Sequence, residues 1–156
     1  MLKKTCFFIG HRDAPEELMP LLLKSIEKLI VKFDVKCFIV GQYGNFDRMA
    51  TSAIQTMKKQ YPFISASLLC PYHPAERTVI LPDKFDDRIY PFGMELVPKP
   101  LAILRANQYM IQNSDFLIVY CWNSTGNTYK FLQQARKRAE NGDLHIENLA
   151  QRNQYS

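Results

Sequence analysis

No run of about 18 apolar residues occurs anywhere in the chain, so no segment reads as a membrane span. The apolar stretch near the start is too short for a signal peptide, and polar His11 and Arg12 follow it at once. The four cysteines include no C-x-x-C pair; Cys70 and His73 are spaced as C-x-x-H, but no second ligand pair accompanies them. No metal site is therefore expected. Cys6, Cys37, Cys70 and Cys121 each sit in or beside an apolar run, the pattern of free buried thiols in a reducing cytoplasm. Also missing are G-x-x-x-x-G-K-[ST], a strict G-x-G-x-x-G, H-E-x-x-H and G-x-S-x-G. Their absence disfavours P-loop nucleotidases, ordinary dinucleotide dehydrogenases and two hydrolase types.

What is present is enough apolar material for one core. The 156 residues are 47% hydrophobic, 12% aromatic and 22% charged, outside the range of disordered chains. The length suits a single domain, expected over residues 1–150, with a polar tail at 151–156. A net charge of +5 suits an anionic small molecule. The basic runs, Lys3-Lys4 and Arg136-Lys137-Arg138, are too short for a nucleic-acid arm and read as solvated faces. Nucleic acid is disfavoured as a partner, and homo-oligomerisation stays open.

Apolar runs at residues 5–9, 37–40 and 116–121, each closed by a polar turn, read as strands buried on both faces. Residues 65–71 contain a third strand in chain order, and 144–149 a last, edge strand. Between them, apolar residues recur at helical spacing. One helix carries Leu22, Ile26, Leu29, Ile30 and Phe33, and starts either from an Asp13/Glu16 capping pair or near Pro20. A second opens at a capping Asn45, a third spans 101–113, and a fourth opens at 124–128 and ends at Gly142. Residues 71–100 hold six of the nine prolines and no lasting period, so they read as a long connection with at most a short helix. Strand–helix alternation of this kind predicts a single Rossmann-like α/β domain: three layers, with a mostly parallel sheet of about five strands.

In such a sheet the turns after the strands share one edge, where ligands bind. Three of them are polar: Gly10-His11-Arg12, then Gly41 through Asp47 with Gln42 and Gly44, then Ser124-Thr125-Gly126-Asn127-Thr128. Each leads toward a helix whose first N–H groups are unpaired and whose dipole is positive, a natural seat for phosphate. His11 is placed to act as acid, base or donor, or to be structural. Arg12 either clamps a phosphate or pairs with Asp13 or Glu16. Asp47 either complements its helix dipole or binds ribose hydroxyls. Arg105 points to the ligand edge or to solvent, and Trp122 stacks on a base or packs.

Four segments, Cys6 to Arg12, Phe38 to Ala50, Arg105 to Val119 and Ser124 to Thr128, resemble in order the SLOG superfamily of Rossmann-like nucleotide-binding proteins. The similarity is greatest to its YpsA-like branch. The resemblance implies a nucleotide or ADP-ribose-like ligand, held by the three turns with Arg105 and Asn107, in a sensor or binding protein with no cofactor of its own. It also raises a nucleotide N-glycosidase, because the LOG-type phosphoribohydrolases of that superfamily cleave nucleoside monophosphates. Those enzymes carry a glutamate shortly after their second glycine motif; here no carboxylate follows Thr128 until Glu140. Their Arg-Asn pair reads Ala106-Asn107, with Arg105 one position early. Glycosidic cleavage needs a carboxylate or its equivalent, and only Asp47 or Glu76 stands in for it. A structural or interaction protein with a degenerate pocket is the third reading.

Overall fold

Phe7 and Ile9 face one side of strand β1 (Thr5–Gly10), Cys6 and Phe8 the other, and both sides are buried. A strand covered on both faces gains nothing from alternating polar residues, hence its continuous apolar run. β2 (Cys37–Val40) and β5 (Phe116–Tyr120) follow the same logic. β3 (Ser65–Leu69) is more polar because Ser65 and Ser67 stay half-buried. β4 (Asp87–Ile89) and β6 (His145–Asn148) form the edges. All five pairings are parallel, in the order β4-β3-β2-β1-β5-β6. The sheet thus has six strands, against the expected five, and is wholly parallel. This computed structural model describes residues 3–150; the expected tail at 151–156 lies outside the described residues, while Ala150 before it is buried.

Helices α1 (Met19–Phe33) and α2 (Asn45–Gln60) cover the face of Cys6 and Phe8. Helices α3 (Ala102–Asn113) and α4 (Gly126–Glu140) cover the face of Phe7 and Ile9. The chain runs outward from β1 to β4, then returns to lay β5 against the other side of β1. That reversal opens a crevice beyond the strand C-termini, between β1 and β5. Among the described residues no helix is long and apolar enough to cross a membrane.

Several boundaries differ from expectation, for physical reasons. Asp13 and Glu16 form no capping pair: a turn of 3-10 helix at Glu16–Leu18 comes first, and α1 begins at Met19. Pro20 then lies in the first turn of α1, where its missing N–H breaks no helical bond. Asn45 is not the cap of α2 but its first residue, with Gly44 at the capping position. Its side-chain amide donates instead to the Ala14 carbonyl at 2.5 Å, tying the first turn to the second. The proline-rich connection holds more structure than expected, namely β4 and 3-10 turns at Met94–Leu96 and Lys99–Leu101. Asp86 anchors it, accepting from the Ala66 N–H at 2.8 Å and from Lys58 at 2.5 Å. Phe85 and Met94 are buried beneath it. At the end of α4 the Gly142 N–H bonds the Ala139 carbonyl, with a positive φ of 80° that glycine adopts freely.

Candidate functional site

A cavity of about 250 Å3 lies at the C-terminal ends of β1, β2 and β3, walled by α3 and α4. The first turn contributes Gly10 and Arg12, the second Gly41, Tyr43 and Asp47, and the third Asn127 and Thr128. Helix α3 adds Asn107 with Ile103 and Leu104, and Phe8, Leu69 and Phe131 form the apolar floor and wall. A recess that joins an apolar floor to convergent polar groups is a common form of small-molecule site.

Seven of the expected residues therefore come together: Gly10, Arg12, Gly41, Asp47, Asn107, Asn127 and Thr128. The others lie elsewhere. Gln42 donates to the Leu69 carbonyl at 2.9 Å and so pins the second turn to the end of β3. His11 accepts from the Trp122 backbone N–H at Nε2, 3.2 Å away, and its own backbone N–H donates to the Tyr120 carbonyl, so it stitches β1 to β5. Burial lowers the His11 pKa and so favours the neutral ring, in keeping with Nε2 as an acceptor. Arg105 is exposed on α3, outside the cavity lining. Ser124 and Thr125 line a separate cavity across α4, and Gly126 is exposed at the start of that helix. His73 and His145 are also outside, bonded to the Ala75 N–H and to Glu147. Glu76 pairs with Lys99 beside another cavity and does not approach this one.

The glycines of the first two turns are there for packing. A Cβ on Gly10 would lie 2.3 Å from the Phe46 ring, and one on Gly41 2.8 Å from Oδ2 of Asp47. Gly44 combines a φ of 100° with a would-be Cβ only 2.9 Å from the Arg12 Cα, so no other residue fits without movement. The N-terminus of α2 is in consequence occupied by the protein itself. The Asn45 N–H donates to the Arg12 carbonyl at 2.8 Å, and the Tyr43 N–H to Oδ2 of Asp47 at 2.9 Å.

The N-terminus of α4 is the opposite case. Gly126 has a φ of 85°, and a Cβ there would meet nothing within 4 Å. Thr125, at the capping position, makes no side-chain bond to the helix. The first N–H groups of α4 have no intrahelical partner and sit beside Asn127 and Thr128 on the cavity. Among the described residues Arg12 forms no ion pair, neither with Asp13 or Glu16 nor with any other acid. Its guanidinium is thus available to an anion.

Asp47 is the strongly perturbed acid of the cavity. Burial pushes its pKa from 3.8 up to about 7, against the smaller opposing effects of the Tyr43 N–H and the Arg12 charge. Near neutrality the carboxyl therefore divides between acid and carboxylate. The acid form offers one donor and further acceptor capacity, a match for a vicinal diol.

Sequence reasoning passed over Tyr43 and the apolar wall. One signal pointed to part of it: Pro100, Ile103, Leu104 and Asn107 follow the i, i+3, i+4, i+7 spacing of a single helical face.

No family model and no curated protein matches the sequence. Solved structures do match in shape. The molybdenum cofactor binding protein of Rippkaea orientalis aligns over 99% of this chain and 83% of its own, at 17% identity and a TM-score of 0.57. The molybdenum cofactor carrier protein of Chlamydomonas reinhardtii aligns over 95% and 92%, at 13% identity and a TM-score of 0.56. DNA processing protein A of Helicobacter pylori, which binds single-stranded DNA, aligns over 92% of this chain and 64% of its own, at 15% identity and a TM-score of 0.52. At these identities the likeness is one of fold: the chain has the Rossmann-like architecture of cofactor carriers and of a DNA-binding protein.

Proposed function

We propose that the chain binds a phosphate-bearing, nucleotide-type small molecule in the cavity at the C-terminal ends of β1, β2 and β3, as a carrier or sensor. The observation that carries this is one cavity with an unpaired Arg12 and the open N-terminus of α4 at its rim and Asp47 in its wall. In this reading the phosphate lies on the first N–H groups of α4, with Thr128 and Arg12 as added donors. The sugar hydroxyls turn to Asp47, and Asn107 supplies an amide to the remaining polar edge. Gly10 and Gly41 let the chain approach closely, while Gln42, Gly44 and His11 hold the turns in place. This agrees with the SLOG resemblance, its YpsA-like branch included, and with a fold that elsewhere carries the molybdenum cofactor. The free cysteines fit a cytoplasmic setting. Calorimetric titration with a panel of nucleoside monophosphates tests the proposal: binding that Arg12→Ala removes supports it, and a panel without any binder refutes it.

Asp47 also favours a second reading, a nucleotide N-glycosidase. A carboxyl group with a pKa near 7 is suited to general acid catalysis at neutral pH. Protonation of the departing base would then fall to Asp47, in place of the absent family glutamate. Free base released from a nucleoside monophosphate at roughly 1 s⁻¹, the lower part of the usual enzyme range, and abolished by Asp47→Asn, would establish this reading over simple carriage.

A further inference from the structure

We propose that the cavity on the far side of α4, about 440 Å3 in volume, is a second subsite that takes an aromatic ring, and that the complete ligand is of the dinucleotide class. The inference rests on the phosphate seat proposed above and extends it across the helix end. Ser124 and Thr125 line this second cavity, whereas Asn127 and Thr128 line the first. One turn is therefore the shared wall. A pyrophosphate on its N–H groups would send one nucleoside to each side, separated by about the 10 Å width of a helix.

Three features of the second cavity fit a nucleobase. Trp122 is the chain's only tryptophan and is 58% exposed, a large apolar ring left in water at the edge of the sheet. It is nevertheless held. Its backbone N–H donates to Nε2 of His11, which fixes the main chain, and its ring meets the imidazole at a tilt with centroids 5.5 Å apart, so that the ring face turned from His11 is left for stacking. Oδ1 of Asn123 is buried and has no hydrogen-bond partner among the described residues. Such an acceptor is rare unless a donor arrives from outside, and a ring amine or ribose hydroxyl supplies one. Arg136 adds a positive charge at the rim; one of its nitrogens bonds Gln133 at 2.7 Å.

Because tryptophan occurs once, intrinsic fluorescence reads this subsite alone. The probes are AMP and diadenosine pyrophosphate. AMP is expected to bind with emission unchanged. The dinucleotide is expected to quench Trp122 and to bind roughly 5- to 150-fold more tightly, the usual contribution of one base stacked on an aromatic side chain. Trp122→Ala should erase that gain and leave AMP affinity unchanged, whereas Trp122→Phe should keep most of it. A dinucleotide that binds no tighter than AMP, or whose advantage survives in Trp122→Ala, overturns the second subsite and leaves the first intact. Failure of AMP and dinucleotide alike overturns both, so the two proposals fail distinguishably.

Discussion

Two helix N-termini meet the same cavity, and in sequence they look alike: Gly41 to Asn45 runs into α2, Ser124 to Thr128 into the first turn of α4. In the fold they are opposites. The start of α2 is filled by the chain itself, with Gly44 pressed on Arg12, the Asn45 N–H on the Arg12 carbonyl and the Asp47 carboxyl on the Tyr43 N–H. The start of α4 is open: a Cβ on its glycine would meet nothing within 4 Å. A glycine-rich turn is thus ambiguous in a sequence: the same residue type serves close packing at one helix and exposure at the other. Only the open terminus can receive an anion without first breaking protein hydrogen bonds.

The largest expected effect separates the two glycines. Gly44→Val combines left-handed strain with a clash against the Arg12 backbone, and should cost about 3 kcal/mol or more in urea unfolding. Gly126→Val meets no neighbour and should cost about 1–2 kcal/mol, the backbone strain alone. Equal losses at both positions would erase the contrast.

Asp47 gives the next effect, through pH. Its folded pKa, about 7, lies above the ordinary 3.8, so between these values the folded protein keeps a proton the unfolded chain has released. The stability this provides is complete below pH 3.8 and lost as the pH rises through about 7. Asp47→Asn preserves an acceptor for the Tyr43 N–H and removes the ionisation. It should be more stable than the wild type at pH 8 by about 2–4 kcal/mol and closely similar at pH 4. A gain that is the same at both pH values would contradict the assignment. Ligand binding should follow the same proton: an anion in the cavity disfavours the carboxylate, so wild-type affinity should weaken above pH 7 and that of Asp47→Asn should stay flat.

A smaller effect is expected at Asn107, which lines the cavity from α3. Asn107→Ala should weaken nucleotide binding by roughly 3- to 10-fold, the contribution of one neutral hydrogen bond. Arg105→Ala, exposed on the same helix, should leave affinity within error. Calorimetry on the two variants sets the residue facing the cavity against its exposed neighbour.

The strands and helices were legible because doubly buried strands and amphipathic helices write their burial directly into residue order. Phe7, Phe8, Phe38 and Ile118 could hardly be anything but core. Strand β4 was not legible: three residues, Asp87, Arg88 and Ile89, pair through backbone groups at the sheet edge, and Ile89 alone is too short an apolar signal to mark a strand. Nor was the role of Asn45, because its acceptor, the Ala14 carbonyl, is 31 residues away in sequence. At the candidate site, the sequence pointed to three turns, of which Gly10, Arg12, Gly41, Asp47, Asn127 and Thr128 line the cavity. It could not tell which helix end was free, since that depends on Arg12 and Phe46 packing across turns. Trp122 read equally as a packing or stacking residue; its 58% exposure and its support from His11 became visible only in three dimensions.

The central claim is that the anion sits at the open end of α4 beside Arg12. Calorimetric titration of AMP and adenosine into wild type and Arg12→Ala tests it most directly. The account predicts that AMP binds wild type at least tenfold more tightly than adenosine does, and that Arg12→Ala loses roughly 10- to 150-fold of AMP affinity, the usual worth of a hydrogen bond to a charged group. Adenosine affinity should not change in the variant. Equal binding of AMP and adenosine by wild type, or full AMP affinity in Arg12→Ala, would contradict it.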